Sequence, residues 1–236
     1  MSFTHKTYFT NVTSKFINLN IVLGEFIMMK LYYTKADNSL AVRITIHEIG
    51  ILCEFEAVNL KNKITETGED YFTINPKGQV PALKLNNNSL LTENAIIQQY
   101  LADQYHSHQL LPVHGDFKRY RVLEWLNFIS TELHKTCSAL YNINVPEEIK
   151  ENVYRVILKR KLDYVQSHLE KLRFQYLLGD QFTLPDTYLF VVLTWLPHMK
   201  MDLTEWPVLL QYFTRIKTRA SVQQALEEEG LLGEIE

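Results

Sequence analysis

The chain has 236 residues, with 24 Lys plus Arg against 27 Asp plus Glu and a formal net charge of -3. This balance gives no basis for a nucleic-acid partner, which would call for a basic patch or stripe. The two cysteines, Cys53 and Cys137, form neither a CxxC nor a metal-ligand pattern, so no metal and a reducing, cytoplasmic setting are expected.

Residues 1–28 read as an extension outside the fold. Met1 to Phe16 is polar, and Ile17 to Met29 is apolar but interrupted by Asn18, Asn20, Gly24 and Glu25. The apolar part is too short to span a bilayer. It also lacks a clean cleavage site, although a degenerate signal peptide is the alternative reading. No membrane partner is expected.

Lys30 to Thr34 (KLYYT) has the aromatic pattern of a strand. A polar turn, Ala36-Asp37-Asn38-Ser39, offers N-caps for a helix over Leu40 to Ile49, closed by Gly50. Glu54 to Val58 predicts a second strand, Lys61 to Thr67 a polar loop, and Thr67 to Ile74 a short helix. Asn75-Pro76-Lys77-Gly78-Gln79-Val80-Pro81 is a turn entering a strand over Ala82 to Leu85. A proline there cannot donate to the ladder. If Val80-Pro81 is cis, the Val80 N–H and C=O face outward and can pair with an extended peptide. Asn86-Asn87-Asn88 makes a hairpin to Ser89–Leu91. A helix then runs from Glu93 to Tyr105, opening at Thr92-Glu93-Asn94. Its unpaired N–H groups and dipole attract a carboxylate.

The order strand, helix, strand, helix, strand, strand, helix over 29–106 predicts a thioredoxin-like α/β unit, with a right-handed crossover in its first half. Residues 107–116 read as a linker. From 117 to 236 the strand signals stop. Helical patterns run over Phe117–Leu140, Asn152–Leu172, Trp206–Lys217 and Ser221–Glu229. Thr183 with Asp186 is a capping-box variant opening one more helix. The second unit is expected to be all-α.

These units and the segments LYYT, NPKGQVPAL, LTEN, EWLNF, ELHK and GDQFTLPDTYLF together resemble the cytosolic glutathione S-transferase family, most closely its bacterial beta class. The resemblance starts at about Met29 and runs to near the C-terminus. It implies binding of glutathione, a small anionic thiol peptide, as co-substrate. Val80 would pair with its cysteinyl part beside Gln79, Pro81 would hold the cis bond, and Glu93 and Asn94 would hold the γ-glutamyl end. Lys63 would lie near the glycyl carboxylate, with a solvated loop lysine as the plainer reading. Asn127, His134 and Lys135 match positions facing the cleft, and the seven-residue spacing puts Asn127 and His134 on one helix face. Tyr141 and Trp195 would wall an electrophile pocket, with core packing as the alternative for both. A homodimer is implied.

The resemblance breaks at one position. Beta-class members usually carry a cysteine where this chain has Asn38, so mixed-disulfide chemistry with glutathione is expected to be lost. Conjugation can survive. A free thiol of pKa ~8.5 is only about 3 % thiolate at pH 7, and lowering that pKa by ~2 units needs ~2.7 kcal/mol. A helix N-terminus supplies up to about 1 kcal/mol and one charge-assisted hydrogen bond roughly 1.5–3 kcal/mol. Ser39 is the first candidate donor, then the Asn38 amide. Tyr33 stands where other classes use a tyrosine, although strand packing is its plainer role. His134 is a candidate base. The expected function is therefore a glutathione transferase acting on small apolar electrophiles. The alternatives are a glutathione- or ligand-binding protein with little turnover, and a glutathione-dependent isomerase or dehalogenase.

Overall fold

The computed structural model describes residues 28–173 and 175–235. Nearly all of the 1–28 extension lies outside them. The first unit runs β1 (Lys30–Tyr33), α1 (Ser39–Ile49), β2 (Glu54–Asn59), β3 (Ile64–Thr65), α2 (Tyr71–Ile74), β4 (Ala82–Lys84), β5 (Leu90–Thr92) and α3 (Asn94–Gln104). Its sheet has the order β3-β2-β1-β4-β5. β1 and β2 are parallel, and every other pairing is antiparallel. The register stacks Leu31 between Phe55 and Leu83, and Leu83 beside Leu91. Leu31, Val42, Ile46, Leu83, Ile97 and Leu101 form the core where α1 and α3 cover the sheet.

Two local devices set the frame. Gly50 ends α1 in left-handed backbone (φ 78°), and its N–H bonds the Ile46 and His47 carbonyls. Gly78 also has positive φ, and a Cβ there would meet the Phe72 ring at 2.7 Å. This glycine lets the chain pass under that ring into the turn before β4. The two-residue strand β3 falls inside the expected Lys61–Thr67 loop, and α2 is shorter than the expected Thr67–Ile74 helix.

The second unit is helical. α4 (Phe117–Phe128) runs into a widened π segment, Ile129–His134, and then α5 (Lys135–Tyr141). α6 (Glu147–Ile149) runs through a second π segment, Lys150–Arg155, into α7 (Val156–Leu172). α8 (Leu184–Thr194), α9 (Pro207–Lys217) and α10 (Ala220–Glu228) complete it. All eleven residues of α8 are buried, so the other helices pack around it. α1 of the first unit lies against α8 and α10. Among the described residues, no helix is long and apolar enough to cross a membrane.

The start of α8 carries the expected capping box between Thr183 and Asp186. The fully buried Asp186 carboxylate accepts from the N–H groups of Leu177 (2.9 Å) and Thr183 (2.8 Å). It also accepts from the hydroxyls of Thr183 (2.7 Å) and Tyr212 (2.8 Å). Replacing it with Ala strands four buried donors. Each unsatisfied group costs about 1–3 kcal/mol. Asp186→Ala should therefore destabilise the chain by at least roughly 3 kcal/mol in urea denaturation, and Asp186→Asn by clearly less. Equal losses in the two variants would show that the acceptor set is not what matters.

Candidate active site

The two units enclose a cavity of about 1090 Å³. One wall is the start of α1, the Gln79–Val80 turn and the start of α3. The opposite wall is the α4–α5 rod, the end of α8 and the C-terminal segment. Val80–Pro81 is a cis peptide. Among the described residues, neither the Val80 N–H nor its C=O has a hydrogen-bond partner. The Gln79 carbonyl, in contrast, is held by the Tyr71 hydroxyl (2.9 Å) and the Asn75 amide (2.8 Å). This leaves Val80 as a short open edge on the cavity.

The start of α3 is built for an anion. Glu93, its N-cap, has φ 72°, a region that costs a non-glycine residue energy and clusters at functional sites. The first intrahelical bonds come from Ile96 and Ile97 to the Glu93 carbonyl. The N–H groups of Asn94 and Ala95, both on the cavity wall, therefore precede the helix ladder. Lys77 Nζ bonds Glu93 at 2.6 Å and Thr92 at 2.9 Å. The side chain of Asn94 turns inward, and its amide donates to the Asn38 carbonyl at 2.5 Å. The expected amide donor toward the ligand is thus already engaged within the protein.

At the start of α1, Asn38 is 9 % exposed, and its Oδ1 is buried without a hydrogen-bond partner among the described residues. Its backbone N–H bonds the Asp37 carboxylate at 2.6 Å. Burial raises the Asp37 pKa, opposed by that N–H. Facing Asn38 across the cavity are His134 and Tyr188, with Nδ1 and Oη 2.6 Å apart. Burial, the largest effect, pushes the Tyr188 hydroxyl well above the usual phenol range, and the nearby side chains of Ser130 and Asn38 oppose it. Burial, and then Lys135, lower His134 to about 4. The ring of Trp195 meets the His134 ring edge-on, with centroids 5.0 Å apart.

Several expected site residues stand elsewhere. Ser39 is fully buried, and its hydroxyl accepts from the Thr34 N–H (3.2 Å) and donates to the Thr34 carbonyl (3.1 Å). It braces the β1–α1 turn and does not line the cavity. Tyr33 packs its ring on the Arg43 guanidinium, 4.3 Å away. Lys63 donates to the Gly78 carbonyl at 2.7 Å, under the turn rather than on the wall. Asn127 is exposed and off the cavity, while His134 lines it. The shared face expected from seven-residue spacing is broken by the π segment, which adds a residue to the turn between them. Gln79, Val80, Glu93, Asn94, His134, Lys135, Tyr141 and Trp195 all line the cavity. Pro81 is buried behind them. Among the described residues, no group of three His, Cys, Asp or Glu could hold a metal.

Tyr188, Ser130 and Lys77 were not expected. Tyr188 lies in the apolar run LFVVL-containing α8 and reads as core packing. The available signal was its polar tip, since a buried tyrosine hydroxyl needs a partner.

A cis-proline edge beside a helix N-terminus, facing a cavity roofed by helices, defines a thioredoxin-fold protein that binds a thiol peptide. Residues 28–103 match the family model described as glutathione S-transferase, N-terminal domain, and residues 131–229 match glutathione S-transferase, C-terminal domain. The chain is 43% identical over 203 residues to glutathione S-transferase GstA of Escherichia coli O157:H7, covering 86% of this chain and 100% of that one. It superposes on a sphingomonad glutathione S-transferase complexed with glutathione, with TM-score 0.81, 35% identity and coverage of 86% and 99%. A bacterial beta-class glutathione S-transferase of Sphingomonas chungbukensis gives TM-score 0.80, 36% identity and the same 86% and 99% coverage. The chain belongs to the glutathione S-transferase family and is a glutathione S-transferase.

The His134 environment gives a pH dependence with a definite sign. The folded state holds its imidazole near 4, below the value of about 6.5 in an unfolded chain. Between those values the unfolded chain binds the proton and the folded one does not. Stability is therefore intact above the unfolded value and is lost as pH falls toward 4. His134→Gln should flatten that slope in denaturation curves taken from pH 7 to 4.5. NMR should find the wild-type ring neutral throughout pH 5.5–8, and a midpoint near that of a free imidazole, about 6.5, would contradict its burial.

Proposed function

We propose that Asn38 takes over the thiolate-holding role of the cysteine that beta-class members usually carry at this place. The observation that supports this is the place of Asn38 on the cavity wall, with a buried Oδ1 that has no hydrogen-bond partner among the described residues and with Tyr188 lining the same cavity. Buried polar atoms without partners are uncommon in proteins and call for an explanation. A ligand atom supplies one here. The oxygen and nitrogen of an amide exchange places on a half-turn. The turned amide aims its N–H donors at the sulfur and its oxygen at the Tyr188 hydroxyl. His134, neutral at working pH, then donates from Nδ1 to Tyr188 Oη. Tyr188 and His134 are positioning residues in this reading, and Asn38 is the group that touches sulfur.

Glutathione lies along the wall with its cysteinyl backbone on Val80. Its γ-glutamyl carboxylate sits at the N–H groups of Asn94 and Ala95, and its γ-glutamyl ammonium beside Glu93. Gln79 and Lys135 border the same groove. The thiol loses its proton to water. The sulfur then attacks an electrophilic carbon, forming the C–S bond as the leaving group departs with the electron pair. Proximity and thiolate stabilisation carry the rate. Tyr141 and Trp195, with Leu203, Phe213 and Leu231 on the same cavity, suit a small apolar electrophile. Reduced glutathione points to a cytoplasmic setting. A homodimer is part of the reading, since Phe72 (49 % exposed) and Ile96 (47 % exposed) leave apolar rings and branches uncovered near the Glu93 rim. Ile96 is one turn along α3 from Glu93.

Purified protein with glutathione and a chloronitroaromatic should turn over above background. Binding without turnover would favour a ligand-binding protein instead. One charge-assisted hydrogen bond is worth about 1.5–3 kcal/mol, so Asn38→Ala should move the acidic limb of kcat/KM upward by about 1–2 pH units. An unmoved limb would remove Asn38 from the mechanism. Asn38→Cys should acquire a glutathionyl adduct with oxidised glutathione, seen by intact mass, where wild type does not. Light scattering should report a dimer that Ile96→Glu weakens, and a monomeric wild type would refute the assembly.

A further inference from the structure

Helix α3 carries a glutamine at the junction of three helices. Gln98 is fully buried. Its Oε1 lies 3.1 Å from Thr45 Oγ1 of α1 and 2.8 Å from Thr187 Oγ1 of α8, hydroxyls whose single protons are shared with the Ala41 and Leu184 carbonyls. Its Nε2 donates to Asn94 Oδ1 at 2.5 Å, and Asn94 Nδ2 donates onward to the Asn38 carbonyl at 2.5 Å. Thr45 and Thr187 are fully buried, and Asn94 is 5 % exposed. A buried line of polar groups therefore runs from α8 through α3 to the first turn of α1.

An apolar side chain of similar volume could fill this junction without the desolvation cost of a buried amide. What the amide adds is position. A fully satisfied buried network has one arrangement, and each member fixes the rotamer of the next. The last link of this line joins the starts of α3 and α1. Each is a helix N-terminus on the same cavity wall, and they are joined side chain to backbone by Asn94 alone among the described residues.

We infer that Gln98 is a positioning residue for catalysis, setting the spacing between the α1 start that receives the glutathione sulfur and the α3 start that receives its γ-glutamyl carboxylate. This rests on the reading of those two starts given under the proposed function. Glutathione is one molecule with a fixed reach between thiol and carboxylate. A wall whose two anchors drift apart can satisfy one end and lose the other. Gln98 holds the Asn94 amide in the one orientation that reaches Asn38, and Thr45 and Thr187 hold Gln98.

The test compares wild type, Gln98→Met, Asn94→Ala and the double variant. Glutathione affinity is read by calorimetry and the pH profile of kcat/KM with a chloronitroaromatic. Gln98→Met should bind glutathione about threefold to tenfold more weakly, which is up to ~1.4 kcal/mol, and shift its acidic limb upward. Because both substitutions cut the same line, the double variant should be little worse than the worse single one. A folded Gln98→Met with wild-type affinity and wild-type limb overturns the inference, and so do fully additive effects. Should Gln98→Met fail to fold, Thr187→Val removes only one of the two donors to Oε1. It should show the same two shifts at smaller size, and wild-type values there overturn the inference as well. A wild type that binds no glutathione overturns the parent reading and this inference with it. An active wild type with an unaltered Gln98→Met overturns the positioning role alone.

Discussion

The site depends first on how Ala36 is held. Its backbone is left-handed, with φ 59°, a conformation that costs a residue with a Cβ roughly 1–2 kcal/mol. Both of its peptide groups are gripped from the helical unit. Its N–H donates to Glu229 Oε2 at 2.9 Å, and its carbonyl accepts from Trp195 Nε1 at 2.9 Å. Glu229 is itself buried. Burial raises its carboxyl, opposed by the Ala36 N–H and by Arg43, whose Nε donates to Glu229 at 3.1 Å. The Arg43 guanidinium lies over the rings of Tyr33 and Phe55, at 4.3 and 3.8 Å. The Ala36–Asp37–Asn38 bend is thus defined by contacts from beyond the α/β unit. Without those contacts the first turn of α1 would lose what fixes its direction. This explains why Tyr33, at the end of β1, serves architecture here: its ring, with that of Phe55, packs on the Arg43 guanidinium and helps hold it in place.

Much of this was legible in the chain because it is local. Turn chemistry around Pro76–Pro81, the Gly50 stop and the Thr183–Asp186 box each depend on a few adjacent residues, and spacing alone reveals them. What stayed hidden depends on partners distant in sequence. β3 has two residues and exists through its pairing with β2. Ser39 looked like a free hydroxyl at a helix start until Thr34, across the turn, took both sides of it. The π segment leaves no trace in the apolar pattern of 117–140, since its residues are ordinary helix formers, yet it decides that His134 and not Asn127 reaches the cavity. Tyr188 was masked by its neighbours: all eleven α8 residues are buried, and a bulky ring in that apolar helix looks like one more piece of the core.

Two neighbours bear on Asn38 separately. Asn94 holds its backbone carbonyl, which fixes where the residue sits. In the proposed reading Tyr188, on the same cavity, sets which way its amide faces. A cysteine at the same place would need neither hold on its side chain, because sulfur is a single atom with no orientation to choose. An amide has two unlike ends, and its usefulness to a thiolate depends entirely on which end is presented. The neighbouring hydroxyl and imidazole are what make that choice possible.

The neutral state of His134 is central to that choice. An imidazolium must donate from both nitrogens, which would lock the Tyr188–Asn38 line in one direction and add a positive charge near the sulfur. A neutral ring can carry its proton on either nitrogen, so the line can run toward the cavity or away from it. Run one way, Asn38 offers its oxygen and suits a thiol S–H. Run the other way, it offers N–H and suits a thiolate. The preference between the two is about one charge-assisted hydrogen bond, roughly 1.5–3 kcal/mol, which brings a thiol of pKa about 8.5 near or below neutrality. A full cation at the same distance would lower it further, but the nucleophilicity of sulfur falls as its pKa falls, with the best attacking thiol having a pKa near ambient pH. On the proposed reading, a neutral amide would therefore place the sulfur where it is both ionised and reactive, a balance that a charged donor in this buried wall would overshoot.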